Sequence, residues 1–156
     1  MAQGKVLSTK EVKTVGKPAS LSATVRDGVG AKLYAGCNDF GLVQVQVLDA
    51  QGELCPDAAN SDDTQVTFSV SGTPSAWVEG SGNGDPSCLV NNKSPTRPAY
   101  HGLALGVIGA GNATGTITVS VSSPGLKTAT VDLSVVKQDL TAPDFSTKWC
   151  HQEPQW

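Results

Sequence analysis

Apolar and polar positions alternate one by one through most of the chain. In Ser20–Val25, Leu21, Ala23 and Val25 fall on one side, and Ser20, Ser22 and Thr24 on the other. The stretch LVQVQVL sets Val43, Val45 and Val47 against Gln44 and Gln46. QVTFSVS aligns Val66, Phe68 and Val70; TITVSVS aligns Ile117, Val119 and Val121; TATVDLSVV aligns Ala129, Val131, Leu133 and Val135. A period of two is the signature of strands with one buried face. HGLALGVIG is different, being apolar or small throughout. It predicts a central strand covered on both faces. Trp77 is expected in a further strand.

Turn chemistry separates these runs. Asp49–Gly52, DAQG, ends one strand, with Gly52 free to take a positive φ. Ser122–Gly125, SSPG, predicts a tight hairpin between the last two long strands. No segment carries a helical stripe. About seven strands in some 120 residues predict an all-β, immunoglobulin-like antiparallel β-sandwich. The sandwich is expected over 17–137, after an extended lead-in at 1–16 and before a C-terminal tail at 138–156. Trp149 and Trp156 in that tail are candidate docking residues, because disordered segments are poor in aromatics.

Composition narrows the function classes. At 156 residues the chain fits one domain. A net charge of -3 excludes the basic footprint of a nucleic-acid binder. No apolar run approaches the roughly 20 residues of a helical membrane span. The first residues also lack the apolar stretch of a signal peptide. The four cysteines, Cys37, Cys55, Cys88 and Cys150, contain no CxxC pair, which argues against a zinc ribbon. One or two disulfides would point to an extracellular or secreted setting. Cys88 lies beside a glycine-rich corner, where Cys37 or Cys55 is the candidate partner.

The corner itself, GSGNGDPS from Gly80 to Ser87, invites comparison with a phosphate cradle. Such a loop must open a helix whose N-terminal amides hold the anion. Here Pro95 and Pro98 follow, which forbids one. GVIGAGNATG precedes the strand TITVSVS rather than a helix, so it reads as a hairpin loop and not a dinucleotide fingerprint. Asp57, Asn60, Asp62 and Asp63 crowd one loop as weak calcium candidates, outside any EF-hand register. No nucleophile elbow is present, and Glu11, Glu53, Glu79 and Glu153 fall on different turns and ends. The chain is therefore expected to be non-catalytic and to need no cofactor and no metal.

Several stretches together resemble the last immunoglobulin-like domain of family 2 glycoside hydrolases, the β-galactosidase group. They are TVGKPASLSATV, NDFGLVQVQVLDAQGELCPDA, VTFSVSG, GSGNGDPSC, RPAYHGLALGVI and TGTITVSVSSPGLKTATVDL, in family order. The resemblance implies an accessory domain, since the family's catalytic acid and nucleophile lie on a barrel placed earlier in the chain. Its partners would be neighbouring domains of the same protein or a larger assembly. The cysteines and the Trp-containing tail depart from the family pattern. Two other readings stand beside it: an interaction domain anchored by the tail, and a carbohydrate-binding module. For the latter, Trp77, Tyr100 and His101 would supply a stacking surface and Asn83 and Asp85 the hydrogen bonds. Core or edge packing is the competing fate of Trp77 and Tyr100.

Overall fold

The computed structural model describes residues 14–26, 32–56, 64–72 and 75–137. Nine strands form two sheets: β1 (Ser20–Val25), β2 (Lys32–Tyr34), β3 (Asp39–Leu48), β4 (Gln65–Gly72), β5 (Trp77–Gly82), β6 (Thr96–Pro98), β7 (Leu103–Ala110), β8 (Gly115–Ser122) and β9 (Ala129–Val136). One sheet has the order β1-β3-β7-β5 and the other β2-β9-β8-β4-β6. The all-β sandwich is as the alternation predicts. The two strands beyond the expected seven, β2 and β6, have three residues each, too few to show a period. They form the edges of the five-stranded sheet, where short strands leave little backbone open to pairing.

The chain changes sheet at nearly every connection. Among the described strands, β8–β9 is the one pair of sequence neighbours that share a ladder. Its turn closes through Leu126 N–H to Ser123 O (3.2 Å), with Gly125 at φ 77. The glycine cluster after β7 is not the expected hairpin; it carries the chain from one sheet to the other. β2 runs parallel to β9, unlike its antiparallel neighbours.

The apolar rows meet between the sheets. Val43, Val45 and Val47 of β3 face Val66 and Phe68 of β4 and Ile117, Val119 and Val121 of β8, all essentially without exposure. Each such side chain contributes about 1.5–3 kcal/mol. Phe68 projects furthest. A Cβ at Gly106 would stand 2.5 Å from its ring, so β7 stays bare there. Ala104 and Gly106 keep the inward row of β7 small at that end, and it fills out only at the buried Ile108. Its other large residues, Leu103, Leu105 and Val107, point outward and are half-buried. β7 is thus central in its ladder but covered on one face only, which corrects the expectation of two covered faces.

The end of β3 is fixed by Asp49, which is buried. Its carboxylate accepts N–H bonds from Gly16, Gln51 and Glu53, each at 2.9 Å. These bonds, that from Gly16 foremost, hold its pKa below the ordinary 3.8. One side chain therefore ties the chain entering β1 to the turn leaving β3, where Gly52 takes φ 83 as expected.

Two outcomes follow. Gly106→Val forces Phe68 from its place and should destabilise the chain by about 1–3 kcal/mol in urea unfolding, with unchanged stability contradicting the packing. A depressed carboxylate pKa stabilises above the ordinary value and loses that contribution as pH falls through the folded value. The melting-temperature gap between wild type and Asp49→Asn should therefore be widest near neutrality and narrow below pH 4; a gap independent of pH would remove Asp49 from this role.

Candidate functional site

The five residues singled out for sugar contact divide between the two ends of β5. Trp77 opens the strand, while Asn83 follows its last residue. At ~3.3 Å per residue the two lie on the order of 20 Å apart. The Trp77 ring lies on the outer face over Gly109, where a Cβ would approach it to 2.4 Å. It meets Phe40 edge-on at 6.2 Å, and its indole N–H donates to Glu79 Oε2 (2.7 Å). Glu79 also pairs with Lys93.

At the other end, Asn83, Asp85, Tyr100 and His101 do come together, and the polar atoms of Asn83 and Asp85 hold the backbone. Asn83 Nδ2 donates to Pro98 O (3.0 Å), and its Oδ1 accepts Asp85 N–H (3.0 Å). Asp85 Oδ1 accepts both the hydroxyl and the N–H of Ser87, at 2.7 and 2.8 Å. Those bonds, the hydroxyl first, and the nearby His101 lower its pKa. His101 sits in a tight turn at φ 49, edge-on to Tyr100 with centroids 4.2 Å apart. Gly84, at φ 80, and these side-chain bonds make the corner the structural turn that its composition suggested.

The remaining glycines of GSGNGDPS belong to β5 and act differently. A Cβ on Gly80 would strike Asn92 O at 2.1 Å, so its absence lets the loop between β5 and β6 fold back. Ser81 fastens that loop through its N–H to Asn92 O (2.9 Å) and its hydroxyl to Ser94 O (2.6 Å). Arg97, 3% exposed, gathers the rest. Its guanidinium donates to Ser81 Oγ (3.3 Å), Cys88 Sγ (3.2 Å), Val90 O and Asn92 Oδ1 (both 3.0 Å). A buried cation held by neutral acceptors is a structural knot.

Cys55 and Cys88 are both free thiols, so neither pairing expected for Cys88 is formed. Arg97 takes up Cys88, and burial beside Asp49 raises the pKa of Cys55. Cys37 is disulfide-bonded. The calcium candidates Asp57, Asn60, Asp62 and Asp63, and Trp149 and Trp156 in the tail, lie outside the described residues. Among the described residues, no cluster of three His, Cys, Asp or Glu could hold a metal.

A site that the sequence reading missed lies on the outer face of the four-stranded sheet. A cavity of about 400 Å³ is lined by Arg26, Gln44, Gly82, Asn83, Leu103 and Leu105. A second, of about 390 Å³, continues from it past Gly82 and Leu105 to Val107, Glu79 and Lys93. Together they form one groove with an aliphatic floor on β7, Arg26 at one end and the Glu79–Lys93 pair at the other. A Cβ on Gly82 would meet nothing within 4 Å, so the groove is open above it. The signal was present in HGLALGVIG: Leu103, Leu105 and Val107 share one parity, and of the other only Ile108 is large.

Residues 30–132 match the family described as glycoside hydrolase family 2 C-terminal domain 5. A beta-galactosidase of Bacteroides ovatus is 36% identical, over 84% of this chain and 14% of its own length. A beta-glucuronidase of Formosa agariphila is 31% identical, over 96% of this chain and 15% of its own. A solved glycosyl hydrolase family 2 member from Bacteroides cellulosilyticus shares the fold, with a TM-score of 0.68 and 23% identity, covering 81% of this chain and 15% of that one. The chain thus spans about one-seventh of the length of the relatives it matches.

Proposed function

The chain belongs to the glycoside hydrolase family 2 C-terminal domain 5 family, and we propose that it works as a non-catalytic accessory domain whose outer sheet face docks against a neighbouring domain of a longer hydrolase. The observation that carries this reading is the outward row Leu103, Leu105 and Val107, lying in an open groove on a sandwich whose core is already filled from the other side. Aliphatic residues presented side by side gain by burial against a second surface. The occupant is argued from length: relatives carry this unit as 14–15% of a longer chain, so other domains stand beside it. Arg26 and the Glu79–Lys93 pair at the groove ends supply the polar rim that such contacts have.

The accessory role accords with how the polar groups are used. Asp49, Asp85, Asn83 and Arg97 are each committed to backbone or loop bonds. The support given is positional: a rigid face that fixes the neighbouring domain, and through it the reacting part of the enzyme.

Gly82→Trp tests this reading, because position 82 has room for a side chain and the ring would fill the groove. The isolated chain should melt as wild type does. In the hydrolase that carries it, the variant domain should unfold in a separate, earlier transition and become open to protease. A parent that melts as one unit with Gly82→Trp in place contradicts docking at this face. Saturable binding of galactosides or glucuronides by the isolated chain, lost in the same variant, would replace docking with a sugar site. Turnover of a chromogenic galactoside by the purified chain would overturn the non-catalytic reading.

A further inference from the structure

The groove is uneven in charge. Thr24 of β1 pairs with Gln44 of β3, Gln44 with Leu105 of β7, and Leu105 with Gly82 of β5, so the four form one row straight across the sheet. The adjacent row pairs Leu42 with Val107 and Val107 with Gly80. Arg26 N–H donates to Leu42 O (2.9 Å), which puts Arg26 at the head of that row. At about 4.8 Å between strands the groove spans roughly 14 Å, the length of about four extended residues. At its β5 end Lys93 and Glu79 close a salt bridge, and Glu79 also accepts the Trp77 indole N–H. At its β1 end Arg26 is exposed, and among the described residues its guanidinium has no ion-pair or hydrogen-bond partner. The half-buried side-chain amide of Gln44 beside it has none among them either.

We infer that the neighbouring domain seats an extended acidic segment in this groove, an inference that rests on docking at this face. An Asp or Glu carboxylate of the segment pairs with Arg26, the Gln44 amide bonds the main chain next to it, and aliphatic side chains lie over Leu105 and Val107. The chemistry is chosen by what the groove leaves unmet. A surface that covers Arg26 takes its charge out of water, which is unfavourable unless an anion replaces the water. The guanidinium fork matches a carboxylate with two parallel N–H···O bonds. Gln44 offers both a donor and an acceptor, as a peptide unit does. A purely apolar ridge, or one carrying a cation, would bury Arg26 and Gln44 without partners. At the other end the charges of Glu79 and Lys93 already cancel, and the open space over Gly82 admits an apolar side chain. The single unmet charge therefore also fixes which way the segment runs, with its acid over β1.

The test places an amine where the guanidinium stands. Arg26→Lys in the parent hydrolase, treated with a water-soluble carbodiimide, should give an amide cross-link from position 26 to an Asp or Glu of a neighbouring domain, read by peptide mass. Arg26→Gln should give none. In the same parent, Arg26→Glu should raise the protease-open fraction of this domain at least roughly tenfold, because it replaces a covered ion pair with two like charges. The isolated chain, where Arg26 is exposed, should melt as wild type does with either substitution. An Arg26→Glu parent that stays as closed as wild type, or an amine that links only to acids of this domain, overturns the acidic segment. A link between two copies of the isolated chain makes a second copy the occupant and overturns it too. The two failures are separable. If Gly82→Trp releases the domain and Arg26→Glu does not, docking stands and the acidic partner falls; if neither releases it, both fall.

Discussion

The ring of Phe68 occupies the space that a side chain at position 106 would need, and the rest of the molecule is arranged around that contact. It lets the two sheets close. It also keeps the inward side of β7 bare at Gly106. Apart from Ile108, the aliphatic volume of β7 is carried outside. Leu103, Leu105 and Val107 stand on the outer face because the core is filled from the opposite sheet. Core packing in this sandwich thereby creates an apolar surface, and the proposed docking role is a consequence of how the interior is solved.

The polar residues bear on function in the opposite sense. In a reaction site, titratable groups converge on a space where a substrate can sit. Here they converge on backbone. Asp49 collects three amides and Asp85 both groups of Ser87, while Arg97 binds the folded-back loop through four neutral acceptors. The lowered carboxylate pKa values record this, since bonds to the charged form favour it. Gly80 and Gly82 make the division visible in three residues. One glycine admits the loop and the other keeps the groove open.

Much of this was legible in the sequence. Alternation located β1, β3, β4, β8 and β9, and DAQG and SSPG gave turns whose glycines do take positive φ. What was hidden had physical reasons. Three-residue strands carry no period, so β2 and β6 left no trace, and the parallel pairing of β2 with β9 is set by tertiary contact. HGLALGVIG looked uniformly apolar because hydrophobicity was read without size; Ala104 and Gly106 inside and Leu103, Leu105 and Val107 outside differ in volume, not polarity. The glycines after β7 resembled a hairpin because a crossover between sheets needs the same freedom. Trp77 and Asn83 lie near one another in sequence, yet an extended strand separates them widely.

The proposed docking surface is the outer face of β7 with its neighbours. Hydroxyl-radical footprinting of the isolated chain and of the same chain within its parent enzyme addresses it directly. Leu103, Leu105 and Val107 should be labelled in the isolated chain and protected in the parent. Equal labelling in both, with protection appearing instead at Tyr100 and His101, would contradict it.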